Sequence, residues 1–277
     1  MEARPLTRAD ALATYRYLRI GMVGAVGWLA VAVLVEIVRD GFTVLPSISA
    51  YWYTPVRGVF VGTLVAIGLS LIVIKGTNPW EDTFLNFAGL FAPIVALVPT
   101  VLPGQDNLVD PVVLAQVDNN ITSLLVIAPL GIAFAWLLLP RGRWPEARTA
   151  AHLGLLGAAA IYLVTLVTFV FFRETFTRWA HDVAAIGMFV CIAVAVFITA
   201  RQDRLRDERL RPTYMILSTV MVATIVAVVA ARIAGTDSEH VVLAVEVIEI
   251  AAFAIFWILQ TREHWHEASR EGPGTVG

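Results

Sequence analysis

Glu246 and Glu249 stand three residues apart in an otherwise apolar run, His240–Gln260. On a helix that spacing puts them on one face. Two ionised carboxylates side by side in an apolar setting repel each other and lose hydration, so one of them must hold a proton or meet a cation. The cation expected for this role is Arg57, which opens the second apolar run at the same end of the chain's alternation. A guanidinium grips a carboxylate through two parallel bonds. Arg57 belongs to the segment Pro46–Gly62, PSISAYWYTPVRGVFVG, where Ser, Tyr, Trp, Thr and Arg are packed against the start of that run. His181 and Asp182 open the sixth run, and Glu36 closes the first. Three chemistries follow from this set. One is a buried ion pair that fixes helix register. Another is a ligand pocket lined by Ser47, Ser49, Tyr51, Tyr53, Arg57, His181, Asp182, Glu246 and Glu249. The third is a proton-coupled step through Glu246 or Glu249.

Other chemistries lack their residues. His181, Asp182, His240 and Glu246 carry nitrogen and oxygen donors suited to zinc. Yet no metal-spaced pair lies inside a run, and the adjacent His181 and Asp182 point about 100° apart on a helix, so no metal is assigned. A metal-dependent intramembrane hydrolase is disfavoured on the same ground. Ser47 and Ser49 have no GxSxG turn around them, and their ordinary role is turn formation and capping ahead of the second run. There is no Gly-rich phosphate loop. The single lysine, Lys75, lies at a helix end, which excludes a mid-helix Schiff base. Nothing calls for a cofactor, and a net charge of −2 gives no reason to expect nucleic acid. The one cysteine, Cys191, excludes an intramolecular disulfide and reads as packing filler.

The elements that must position these residues are long apolar runs. The chain of 277 residues is 58% hydrophobic and only 15% charged, against about 25% charged in soluble domains. Mean hydropathy is +0.76. Eight runs approach the ~20 residues that cross a bilayer: Ile20–Val38, Arg57–Ile74, Phe84–Leu102, Ile121–Leu139, Ala151–Phe172, Ala180–Ala200, Thr213–Ala231 and His240–Gln260. In lipid they must be helices, because an isolated strand leaves its backbone groups unpaired. The expected fold is an all-α polytopic transmembrane bundle of eight spans. It divides into an N-terminal segment 1–19, the bundle 20–260 and a short polar tail 261–277. Fifteen of the 20 basic residues fall on one side of the eight-fold alternation, so both termini are expected to be cytoplasmic in a plasma membrane. The segment Arg201–Arg211 reads as a topology anchor beside anionic lipid.

Within the runs, Pro93, Pro99 and Pro129 are expected to kink spans three and four, and Gly58, Gly62 and Ala66 to let helices approach closely. Gly154, Gly157 and Ala158 read the same way. A homo-oligomer is compatible with such seams but has no support beyond them. Tyr51, Trp52 and Tyr53 fit an interface belt or the entrance of a pocket. Polar residues are expected to concentrate in the external half, the other half holding little beyond Asn86 and His152.

The stretch LPSISAYWYTPVRGVFVGTLVAIGLSLIVIKG, followed by NFAGLFAPIVALVPT and later by RWAHDVAAIGMF and EVIEIAAFAIFW, resembles a family of uncharacterised bacterial multi-span membrane proteins. In these a SIS-Y-Y-P-R-VFVG segment precedes the second helix. The resemblance implies a shared site at Ser47, Ser49, Tyr51, Tyr53, Pro55, Arg57, His181 and Glu246. It departs at Gly58, where an acid is common, and at the end of the last span, where Gln-Thr-Arg replaces Lys-Gly. More distantly the opening is similar to the Frag1/DRAM/Sfk1 group, which implies lipid handling. The expectation is therefore a non-enzymatic membrane protein with a polar pocket in its external half. That pocket would bind or help distribute a lipid or other amphiphile, with Arg57 on an anionic head group. A proton-coupled small-molecule transporter is the alternative, without the internal repeat that many transporters carry.

Overall fold

A computed structural model describes residues 8–76, 78–138, 145–202, 207–234 and 240–263. These residues form eight α-helices and two short 3-10 turns, with no strand among them. The helices are α1 (Arg8–Arg39), α2 (Arg57–Val73), α3 (Pro79–Leu97), α4 (Pro111–Leu137), α5 (Pro145–Phe171), α6 (Arg173–Ala200), α7 (Arg211–Ala234) and α8 (Val241–Glu263). Six of them, all but α2 and α3, are long and apolar enough to cross a membrane. Readings that fall on 1–7, on 203–206 of the basic segment 201–211 and on the tail after Glu263 lie outside the described residues.

Every expected run sits on a helix, but capping chemistry moves several starts. Asn78 accepts from the Trp80 amide at 2.8 Å, Pro79 follows it, and Glu81 and Asp82 occupy the first turn. A missing N–H and acidic residues suit a helix start, so α3 begins ahead of the expected Phe84. It also ends at Leu97, so residues 98–102 are not helical and Pro99 kinks nothing. Asp110 accepts from the Val112 amide at 2.8 Å ahead of Pro111. This cap draws residues 111–120, expected as a loop, into the first turns of α4. The break between α5 and α6 is the single residue Phe172 (φ −129°, ψ 54°). The stretch ahead of Ala180, also expected outside a span, is therefore the start of α6.

Six helices close a ring: α1 packs on α2, α2 on α3, α3 on α6, α6 on α7, α7 on α8, and α8 returns to α1. The hairpin α4–α5 lies outside the ring against α3. No residue of the most apolar window of α5 is buried, and Leu156, Val164 and Phe171 are among its exposed side chains. An apolar face of this extent is suited to hydrocarbon rather than water. The α2–α3 seam is closest at Gly68 and Gly89. A Cβ on Gly89 would lie 2.6 Å from the Gly68 carbonyl oxygen. Gly58 and Gly62, expected to form the close seam, have open space beside them. Gly157 takes the Phe87 ring of α3 against its backbone, so the small residues of α5 serve packing within the chain.

The helix ends meet in two groups. The site end joins the C-termini of α1, α3, α5 and α7 to the N-termini of α2, α4, α6 and α8. The far end is more polar than expected. Arg19 (6% exposed) lies over the Trp257 ring, Gln202 donates to Glu81 Oε2 at 3.0 Å, and Tyr214 donates to Glu263 Oε2 at 2.9 Å. Arg19, Glu81 and Glu263 flank the apolar runs, so hydropathy placed them outside the spans, whereas α1, α3 and α8 extend to include them. Gly89→Val is expected to lower the thermal midpoint by an overpacking cost of about 1–3 kcal/mol. Gly62→Ala should leave the midpoint unchanged or raise it, and unfolding in detergent compares the two.

Candidate functional site

Two stretches at the site end leave regular helix while staying inside the bundle. One is the chain between α1 and α2, where Ser47, Ser49, Ala50, Tyr51 and Trp52 are all buried. The other is the chain after α3, where Val98 is fully buried. Buried backbone groups need partners, and in hydrocarbon no water supplies them. Side chains do so here. Glu246 of α8 takes the Ile48 amide on Oε2 at 2.5 Å and the Ser49 hydroxyl on Oε1 at 2.6 Å, with the Ser49 amide also near Oε2 at 3.4 Å. Ser47 Oγ accepts from the Ala50 amide at 2.9 Å and so starts the 3-10 turn Ser49–Tyr53. At the end of α3 three carbonyls are each met by a side chain. Trp52 Nε1 donates to Ala96 at 3.1 Å, His181 Nδ1 to Val98 at 2.7 Å, and the Tyr53 hydroxyl to Thr100 at 2.9 Å. Because a carbonyl only accepts, Nδ1 of His181 carries the proton. Burial pushes the Tyr53 phenol up to about 12, with the Arg57 charge pulling the other way.

Beneath the Ile48–Ser49 turn the ring holds a partly open cavity of about 130 Å³. Its walls are apolar, from side chains such as Leu29, Phe60, Ile67, Phe189, Val228 and Phe253. The polar side chains on it are Ser49, Thr63, Thr100, His181, Asp182, Arg232, Glu246 and Glu249. Asp182 of α6 and Arg232 of α7 form an ion pair. Glu249 is 1% exposed and lies one turn deeper along α8 than Glu246. Its Oε1 is 2.7 Å from the Thr224 hydroxyl, and among the described residues no donor reaches its Oε2.

Of the residues expected to line a pocket, Ser49, His181, Asp182, Glu246 and Glu249 meet on this cavity, whereas Ser47, Tyr51, Tyr53 and Arg57 do not line it. Tyr51 and Trp52 are buried and form no interface belt: the Tyr51 hydroxyl accepts from the Leu45 amide at 3.2 Å. Arg57 does not pair with Glu246 or Glu249. Its guanidinium stacks 3.3 Å from the centre of the Trp52 ring and donates to Gln116 of α4. The turn leading into α2 aims Arg57 outward to the α4 side, so it cannot hold a head group in this cavity. The cation on the cavity is Arg232, which reads in the sequence only as a topology charge. Its link to Asp182 depends on the α6–α7 register. Thr224 was equally hidden, one of many small polar residues in apolar runs. Among the described residues no cluster of His, Cys, Asp or Glu is arranged to hold a metal ion.

The chain matches no known protein family, no curated protein and no solved structure. Its site is therefore read from geometry alone. Glu246→Ala strips partners from the Ile48 and Ser49 amides, at a cost of about 1–3 kcal/mol for each donor left unsatisfied. The variant is expected to unfold at a lower temperature and to be cut by protease within residues 45–56, where the wild type resists. Equal midpoints and equal resistance would show that the carboxylate does not hold this segment.

Proposed function

We propose that the protein is an eight-span plasma-membrane protein, both termini cytoplasmic, whose cavity binds an amphiphile. What supports the span count is that α2 and α3, with 17 and 19 residues, are about 25 and 28 Å long and lie inside the ring between longer apolar helices. What supports the orientation is the fifteen-to-five division of basic residues, which makes the site end external.

The observation that carries the binding reading is the cavity itself, apolar along its walls and polar where Glu246, Glu249, Asp182 and Arg232 meet it. Amphiphiles match that division. At about 130 Å³ it is near the size of an engineered apolar cavity, about 150 Å³, that takes up benzene. Drug-sized pockets start at about 300 Å³. The enclosed part of the ligand is therefore a ring or a short stretch of chain, with the remainder outside the cavity. The role proposed for this cavity is binding or distribution.

Ala185→Phe places a ring into this space from α6. Mass spectrometry of molecules co-purifying with the wild type is expected to find one amphiphile class enriched over bulk lipid. The same class should be lost from a folded Ala185→Phe protein. Identical bulk lipids on both proteins would refute the binding reading.

A further inference from the structure

The polar groups around the cavity are not equivalent. Glu246 is engaged by the Ile48 and Ser49 amides and the Ser49 hydroxyl, which leaves it a structural carboxylate. His181 is turned to the Val98 carbonyl. Asp182 and Arg232 satisfy each other. Glu249 alone on the lining combines near-complete burial with an oxygen that no donor of the described residues reaches. Its position, eight residues along α8 from Val241, puts it about 12 Å from that end of the helix. Ile67, Ile225 and Phe253 continue the cavity on the same level and deeper.

The Thr224 hydroxyl fixes what Glu249 Oε2 can do. It lies within hydrogen-bond distance of Glu249 Oε1 (2.7 Å), of the Val220 carbonyl (2.9 Å) and of the Met221 carbonyl (3.0 Å), with one proton to give. If Thr224 donates to Glu249, Oε2 is the second oxygen of a carboxylate, or the hydroxyl of a neutral acid, whose proton an amine nitrogen would take to leave the same carboxylate oxygen. If Thr224 donates to a carbonyl of its own helix, the proton between the two residues sits on Oε1 and Oε2 is the carbonyl oxygen of an acid. As a carboxylate oxygen or as that carbonyl oxygen, Oε2 is an acceptor that no donor of the described residues reaches. The charges on the lining favour the same kind of guest, with three carboxyls (Asp182, Glu246, Glu249) against one guanidinium (Arg232). A buried acceptor left unmatched is costly, and a charged donor satisfies a carboxylate more strongly than a neutral one.

We infer that the cavity selects an amphiphilic amine, whose apolar part fills the space between α2, α6, α7 and α8 while its N–H donates to Glu249 Oε2. This rests on the binding reading above and replaces the anionic head group expected from Arg57. Glu249 then serves recognition at the expense of stability, because no donor of the described residues meets its buried oxygen.

The test uses benzylamine, toluene and benzoate, three rings differing in the attached group, titrated at pH 7 into full-length protein in nanodiscs and read by calorimetry. The wild type is expected to bind benzylamine at least tenfold more tightly than toluene or benzoate. Glu249→Met keeps the side-chain length and removes the acceptor. It should reduce benzylamine affinity to that of toluene, leave toluene unchanged and raise the thermal midpoint without ligand. Glu249→Gln is the second variant if Met disturbs folding, and it should lose most of the preference. Equal binding of benzylamine and toluene by wild type would overturn the amine inference and leave the binding reading intact. A preference for benzoate would also overturn it and would point to Arg232. Failure of every ring to bind the wild type would remove the cavity as a site and the inference with it.

Discussion

The carboxylate of Glu246 holding the Ile48–Ser49 turn is the contact on which the site end depends. The chain between α1 and α2 does not stay at the surface. It enters the bundle, and its buried amides and hydroxyl converge on one side chain of α8. This couples the first connection of the chain to its last helix, which the ring already brings beside α1. The turn so held contributes Ile48 and Ser49 to the wall of the cavity. Without it, the Ile48 and Ser49 amides and the Ser49 hydroxyl would lose this acceptor in apolar surroundings, each at a cost comparable to a lost hydrogen bond.

The same requirement explains most of the polar residues nearby. An early end to α3 frees carbonyls at Ala96, Val98 and Thr100, and Trp52, His181 and Tyr53 answer them. The two irregular stretches thus support each other, since Trp52 and Tyr53 belong to the first and the carbonyls to the second. The far end uses a different device. Its helices stay regular and are tied by polar side chains at their termini, as with Gln202 on Glu81 and Tyr214 on Glu263. Between the two ends, Leu71, Ile192, Val196, Phe256 and Trp257 fill the ring. The cavity lies in the half that holds the irregular stretches.

Hydropathy made the helices legible, because each apolar run is long and bounded by charge, proline or glycine. Helix starts at Pro79 and Pro111 were legible in principle through Asn78 and Asp110, but a reading led by apolarity places them several residues late. Five of the expected pocket residues share the cavity because they lie at matching depth, four of them on the parallel helices α6 and α8 and Ser49 on the 3-10 turn between α1 and α2. Arg57 shows the limit of that reasoning. Depth along the chain does not give the direction in which a side chain leaves its helix, and Trp52 and Gln116 draw this one away. Arg232 and Thr224 were hidden for a related reason, since their partners on α6 and α8 are fixed only once helix neighbours and register are known. The burial of Tyr51 and Trp52 was hidden too, because aromatic residues between two spans look the same whether they lie at an interface or fold inward.

The central claim is that Glu246 keeps the Ile48–Ser49 turn folded into the bundle. Amide hydrogen exchange across residues 45–56, measured on wild type and on Glu246→Gln in nanodiscs, tests it most directly. The account predicts slow exchange at Ile48 and Ser49 in the wild type. It predicts a marked acceleration there in the variant, with α3 and α6 still protected. Equal protection of Ile48 and Ser49 in both proteins would contradict it, since the turn would then be held by something other than this carboxylate.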